Sequence, residues 1–506
     1  MPVQTTLTAP DIIVLFIFAI GITGLGLYFT RLQRTTKDYF LGGRNLPWWA
    51  VMVSIVAAET SAATVIAAPA YSYALDGGSM VFLQITFGYL MARILIAIIF
   101  VPKLLRKEYF SVYNFLEDRF GQSARSIAGL VFFFTRALAT GIRVYIPAIV
   151  IQQMVPSFTF DKCVLLSVGI ALIYTTFGGF RAVVWTDFLM FGIYLFGGVL
   201  AIITVFQHIS FGEAMSVAAD AGKFRVFDTD IFNFTKNYTV LSGFIGGTFL
   251  SMATHGTDQA IAQRLLACST EKDSKKAIIG SGMIIIPQFL FFMFLGVLLY
   301  AYYSKIGFPG LAKADDIFPH FIVTVMPSGI IGILLAAILS ASMSTTCSDM
   351  NALANISVND FYRRIFRKDA TEREMLLMSK IMTVVWGSIL VFIAYVPRLL
   401  PKEWRLLDIC LAIPSLFYGS LLGVFLLGFL TRSAKERSVI IGAVLGCIAT
   451  FVVALPPMLA NWFPTVVPAF FKTYPKIAWT WWCPLGTVVT MFFGYVLSYF
   501  ESGPEE

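Results

Sequence analysis

The stretch VAAETSAATVIAAPA (56–70) decides how the rest of the chain is read. It holds one full charge, Glu59, beside Thr60 and Ser61, in an otherwise apolar run that reaches Pro69. A carboxylate in hydrocarbon is costly and marks a paired or functional group. The AETS tetrad interrupts a segment that would otherwise span a membrane. The segment therefore reads as a broken helix near residues 57–61. Unwound backbone at that depth is tolerated only where it lines a cavity or binds something.

The surroundings fit that reading. The chain has 506 residues, 58% of them hydrophobic and 13% charged. Soluble domains carry about 25% charged residues. Apolar runs of roughly 20 residues, enough to cross about 30 Å of hydrocarbon, recur from end to end. The pattern predicts an all-α polytopic membrane protein with thirteen spans at 10–30, 47–74, 79–105, 122–154, 161–178, 182–206, 238–256, 276–304, 328–355, 375–396, 406–431, 436–456 and 477–500. A tight turn, FGGF (177–180), is expected between the fifth and sixth. The opening residues lack a basic charge before the first apolar run, so the first helix is expected to remain rather than be cleaved. Loops assigned to the inside hold 22 Lys and Arg, those assigned outside 11. That bias predicts an outside N-terminus and a cytoplasmic C-terminus.

Composition also excludes. The net charge of +8 lies in short loops and orients helices; it does not suggest a nucleic-acid partner. The six cysteines, at 163, 268, 347, 410, 447 and 483, are scattered singly. They suggest neither a disulfide framework nor a metal centre. No Walker motif appears, which argues against ATP-driven transport. No nucleophile–base arrangement suggests an enzyme.

A second interruption lies at SMATHGTDQ (251–259) in the seventh span, five spans after the first. Broken helices at matching positions of two halves point to a transporter's midplane site. In the ninth span, LLAAILSASMSTTCSDMNA (334–352), Ala341, Ser344, Thr345 and Ser348 fall at i, i+3, i+4 and i+7. Three hydroxyls and an alanine thus share one helix face. Close helix packing is one reading. The other is a hard-cation site built from hydroxyls and carbonyls freed by the break.

Several stretches resemble the sodium/solute symporter family, whose members include sodium–glucose, sodium–proline and bacterial sodium–sialic acid transporters. LIYTTFGGFRAVVWTDF (172–188) is similar to the turn between its fourth and fifth core helices. TDQAIAQRLLACSTEKDSKKA (257–277) resembles its TDQ…QR segment. SASMSTTCSDMNALA (340–354) resembles its sodium helix, and FYGSLLGVFLLGFLTRSAKERSVIIGAVLG (417–446) its eleventh span. The likeness runs from about residue 12 to 500 and suggests a bacterial-type member.

The resemblance implies a leucine-transporter-like 5+5 inverted repeat. One extra helix and first loop would occupy 1–45, the first repeat 46–206, an extracellular loop 207–237, the second repeat 238–431, and two further helices 432–506. It also implies sodium as coupling ion, held at Ala57, Thr60, Ala341, Ser344 and Thr345. A second sodium site in some relatives matches Asp187, Ser344, Thr345, Cys347 and Ser348. Cys347 stands where a hydroxyl is expected, and a thiol is a poor ligand for a hard cation. Asp187 alternatively caps a helix end or pairs with Arg181.

Substrate positions of relatives match Glu59, Ser61, Thr64 and Gln84. Glu59 replaces the threonine of the sialic acid transporters. On the third core helix, Arg136 and Arg143 are two turns apart and share a face. The carboxylate-binding arginine of sialic acid transporters matches neither, falling opposite Ala139. Because intramembrane charges pair, Glu59 is expected to meet either Arg143 or the solute. His255 and Tyr418 are further candidates, with a helix-end carbonyl bond and aromatic packing as their respective alternatives. The expectation is a sodium-coupled symporter importing a small polar solute (a sugar, sialic acid or another carboxylate) across a bacterial inner membrane, functional as a monomer. The rivals are a proton-coupled transporter with Glu59 or Asp187 as carrier, or a sodium-binding channel or sensor.

Overall fold

The computed structural model describes residues 7–155, 157–399, 406–462, 467–468, 470 and 473–501. Both expected termini, residues 1–6 and 502–506, lie outside the described residues, as do Lys402 and Arg405 of an expected outside loop. The described elements are helices, with one isolated bridge between Leu46 and Cys268.

The first helix, α1 (Ala9–Tyr28), packs on the outside of the bundle against α6 (Phe160–His208) and α8 (Ile330–Asn355). Its Asp11 accepts the backbone N–H groups of Gly329 (2.7 Å) and Gly332 (2.9 Å). This places an anion at the N-terminus of α8, where the helix dipole favours it. Next come α2 (Trp48–Glu59) and α3 (Ala62–Tyr73), joined at Thr60 and Ser61. Both joining residues are extended, and the two halves meet at 63°. The break thus falls at the polar tetrad, where side chains compete for backbone hydrogen bonds. The next helices are α4 (Gln84–Leu95), α5 (Gln122–Met154) and α6 (Phe160–His208). After them come α7 (Glu271–Ile306), α8 (Ile330–Asn355), α9 (Glu372–Ile393), α10 (Leu406–Leu430), α11 (Glu436–Trp462) and α12 (Trp482–Phe500).

Ten described helical segments are long and apolar enough to cross a bilayer, eleven with the bent α2–α3 pair. Three of the thirteen expected spans take a different form. The fifth and sixth run as one 49-residue element, α6, with Gly179 alone outside helical geometry (φ 59°, ψ −162°). A straight α6 would be roughly 74 Å long, more than twice the hydrocarbon thickness, so this residue divides two spans. The expected seventh span is a string of short turns from 242 to 266. It breaks at the extended Asp258, whose side chain accepts the Ala260 N–H at 2.9 Å.

The broken α2–α3 pair sits between α6, α7 and α8, while α10, α11 and α12 pack on one another at the C-terminal side. α8 is buried almost throughout and runs along α6. The interior of the bundle is therefore where α8 faces the break.

Candidate functional site

At the break, Thr60 N–H closes the last turn of α2 onto the Val56 carbonyl (2.9 Å), and its hydroxyl donates to the same oxygen (2.8 Å). Among the described residues, no backbone N–H donates to the carbonyls of Ala57, Ala58, Glu59 or Thr60. These are the orphan acceptors of a helix C-terminus, here held inside the bundle. The Thr345 hydroxyl on α8 reaches the Ala58 carbonyl (3.2 Å) and its own Ala341 carbonyl (3.3 Å). The structure thereby brings Ala341 and Thr345 to the Ala58 carbonyl, within the break that also carries Ala57 and Thr60. Neutral oxygens converging in this way suit a monovalent hard cation. Gln288 of α7 also arrives: its amide donates to the Thr60 hydroxyl, and its carbonyl oxygen is buried without a partner among the described residues.

Ser344 turns the other way. Its hydroxyl donates to Asp187 Oδ1 (2.6 Å). The Asp187 carboxylate also accepts from Ser54 (2.5 Å) and forms an ion pair with Arg264 (2.8 Å). Arg264 further donates to Ser348 (2.5 Å), Ser54 (2.8 Å) and the Ala260 carbonyl (2.5 Å). A guanidinium therefore lies among Asp187, Ser344 and Ser348, three of the residues matched to a second sodium. Cys347 faces Tyr174 and the Ala171 carbonyl. Arg181, the alternative partner of Asp187, instead bonds the Gly42 carbonyl (2.8 Å) and Asn45.

Glu59 requires a correction. Its expected protein partner was Arg143, but the structure pairs it with Arg93 of α4 and sets His255 3.4 Å away. As the last residue of α2, Glu59 faces α4 and the turn at 253–257, whereas Arg143 is carried on α5. Arg93 also donates to Ser281 (3.0 Å) and lies 3.1 Å from His255 Nε2. His255 Nδ1 lies 3.2 Å from the Ser251 carbonyl, so the histidine has both its helix-end contact and the carboxylate. Ser61 and Thr64 are buried, two and five residues beyond Glu59 on the far side of the break. Gln84 points elsewhere, bonding the Val81 carbonyl (3.0 Å) and accepting the Asp228 N–H (3.2 Å).

The remaining candidates form another network. Arg136 contacts Asp349 (2.8 Å) and Asp258 (3.3 Å). Tyr418 donates to Asp258 and Thr140 to Asp349, both at 2.5 Å. Arg143 lies within electrostatic range of Asp349 and Tyr418, yet makes no hydrogen bond or ion pair among the described residues; its Nε is buried and unpartnered. In these clusters four carboxylates, Glu59, Asp187, Asp258 and Asp349, stand with four guanidiniums, Arg93, Arg136, Arg143 and Arg264.

Sequence reasoning missed Arg93, Arg264, Asp258, Asp349 and Gln288 as members of these clusters. Arg93 and Gln288 stand alone in apolar runs, whereas Asp258, Arg264 and Asp349 lie in polar stretches, THGTDQAIAQR (254–264) and STTCSDMN (344–351). The rule that intramembrane charges pair supplied the signal without supplying the partner.

A broken span facing a hydroxyl-bearing helix, inside a bundle whose charges are mutually neutralised, defines a secondary transporter. The sodium:solute symporter family profile matches residues 39–448, and the chain belongs to that family. It is a multi-pass membrane protein that couples sodium to the symport of a small organic solute. It is 28% identical over 445 residues to the sodium/sialic acid symporter SiaT of Proteus mirabilis, covering 86% of this chain and 88% of that one. It is 29% identical over 446 residues to sodium-coupled monocarboxylate transporter 1 of Mus musculus, covering 85% and 70%. In fold it is similar to a sodium-coupled sialic acid symporter solved in a substrate-bound outward-open state (TM-score 0.85, 24% identity, 98% of both chains). It is also similar to a nucleobase-cation-symport-1 family transporter in a closed conformation (TM-score 0.55, 11% identity, 91% and 93%).

Proposed function

We propose that the cotransported solute carries a carboxylate and that Arg143 receives it. The supporting observation is that the Arg143 guanidinium makes no hydrogen bond or ion pair among the described residues, beside a bundle interior in which Arg93, Arg136 and Arg264 each meet a carboxylate. A planar fork without a partner favours bidentate bonding to a carboxylate. The relatives named for sialic acid and monocarboxylates transport solutes of that chemistry. Sodium occupies the locus of Ala57, Thr60, Ala341 and Thr345, with Ser344 engaged by Asp187 beside it. Sodium and a monocarboxylate enter together as a neutral pair, which leaves the balanced interior balanced. The break flexes as the repeats rock between outward- and inward-facing states, with the N-terminus outside and the C-terminus in the cytoplasm. The coupling is thermodynamic: sodium and solute must favour the same states of the cycle.

The test is uptake into proteoliposomes from a panel of sialic acid, pyruvate, nicotinate, proline and glucose, with sodium or choline outside. Sodium-dependent uptake of a carboxylate without amine is expected. Arg143→Gln should raise its KM by roughly a hundredfold, the worth of a charged hydrogen-bonded pair. Arg143→Lys should recover part of that, because an ammonium keeps the charge without the fork. Uptake of glucose alone, or uptake driven by a pH gradient without sodium, overturns the reading.

A further inference from the structure

Outside the transport locus, a cavity of about 460 Å³ opens at the basic end of the bundle. It lies between the start of α5 and the extension of α8, residues Ile356–Phe366. Its walls carry Arg125, Arg363, Arg364 and Lys368, with Asn359 and Gln122 between them. Two carboxylates reach these cations. Glu117 accepts from Arg125 (2.6 Å) and Arg364, and Asp360 accepts from Arg125. Arg363 and Lys368 have no ion pair among the described residues, so two positive charges are left uncompensated.

One buried atom of each of two residues on the same walls also lacks a partner among the described residues. Arg125 is 4% exposed and its Nε donates to nothing, while Asn359 is 6% exposed with an unbonded Oδ1. A buried polar atom without a partner costs free energy unless a ligand or water meets it. Ile365 and Phe366, next to the cationic residues, are 62% and 72% exposed. That pairing of bare apolar side chains with a basic pocket suits the boundary between headgroups and acyl chains.

We infer that this cavity binds a phosphate group. A phosphate diester or monoester supplies one to two negative charges against the two unmatched cations. Its oxygens can accept from Arg125 Nε, and a hydroxyl attached to it can donate to Asn359 Oδ1. The group can arrive as the head of an anionic phospholipid or as a free phosphate compound, and the exposed Ile365 and Phe366 favour the lipid.

The experiment uses the full chain, delipidated in a neutral detergent, and reads thermal unfolding. One arm adds phosphatidylglycerol in mixed micelles, with phosphatidylcholine as control. The other adds inorganic phosphate, with chloride at matched ionic strength. Stabilisation by phosphatidylglycerol beyond phosphatidylcholine assigns the lipid; stabilisation by inorganic phosphate beyond chloride assigns the free anion. In Arg363→Gln/Lys368→Gln the half-saturating concentration should rise roughly thirtyfold, from about 1 kcal/mol per cation. Lys272→Gln/Arg437→Gln, which removes two exposed charges elsewhere, should leave it unchanged. Stabilisation in neither arm, or an equal change in both double variants, overturns the inference.

Discussion

At the scale of single residues, the Glu59–Arg93 pair carries the clearest consequence. Both groups lie in the bundle interior, Arg93 fully buried and Glu59 with 17% of its side chain exposed. Removing one partner strands the other charge, at about 3–5 kcal/mol. Glu59→Gln and Arg93→Gln should each lower thermal stability or transport severely, and the double variant should recover in part. A strictly additive loss in the cycle would show the two do not interact. Glu59→Gln combined with Arg143→Gln should be additive, since the structure separates them. The α8 hydroxyls give the second prediction at this scale. Thr345→Ala should raise the sodium concentration for half-maximal uptake by roughly tenfold, one charged hydrogen bond's worth, and Ser344→Ala, whose hydroxyl is engaged by Asp187, should raise it less. An unchanged sodium dependence in Thr345→Ala would move the site elsewhere.

At the scale of elements, Gly179 is what turns the 49 residues of α6 into two spans. Its φ of 59° with ψ near −162° belongs to a region only glycine visits without strain. A Cβ there would stand 2.9 Å from the Tyr39 carbonyl oxygen and 2.9 Å from Gln33 Oε1. Gly179→Ala should therefore cost about 1–3 kcal/mol, read as a lowered unfolding midpoint. Gly192→Ala, in the same helix with open space around its Cβ, should be neutral or mildly stabilising. Equal effects at both glycines would mean the bend is not set at 179. The break at Thr60–Ser61 and the kink at Gly179 were both legible as short polar or glycine-rich interruptions of apolar runs. The division of the segment at 242–266 into separate turns was less so, because π-helical turns leave no period of their own in the hydrophobic pattern.

For the whole molecule, the distribution of charge sets the electrical character of transport. Arg264 places a tethered cation among Asp187, Ser344 and Ser348. We expect a single sodium per cycle, and with a monocarboxylate that cycle moves no net charge. Each net charge crossing 100 mV would gain about 2.3 kcal/mol. Uptake into proteoliposomes clamped with valinomycin and potassium should therefore be the same at 0 and −100 mV. A several-fold stimulation by inside-negative potential would indicate a second sodium.

The boundary between sequence and structure follows from the range of the forces involved. Composition and apolar run lengths determine that this chain spans a membrane many times, because each backbone segment must satisfy its own hydrogen bonds in lipid. The stretch 56–70 by itself announces a break, since a carboxylate, two hydroxyls and small residues cannot continue a lipid-facing helix cheaply. The hydroxyl face of 341–348 follows from spacing alone. Which charge meets which was decided only by tertiary structure. Arg93, Arg136, Arg143 and Arg264 are chemically equivalent partners for Glu59 along the sequence. Only the closed bundle, with the end of α2 meeting Arg93 of α4 and the short helix Gln259–Leu266 packed on α2 and α8, brings Arg93 to Glu59 and Arg264 to Asp187. The same packing leaves Arg143 without a hydrogen bond or ion pair among the described residues. Pairing energy acts over a few ångströms, and residues 34 or 77 positions apart reach that distance only after the bundle has closed.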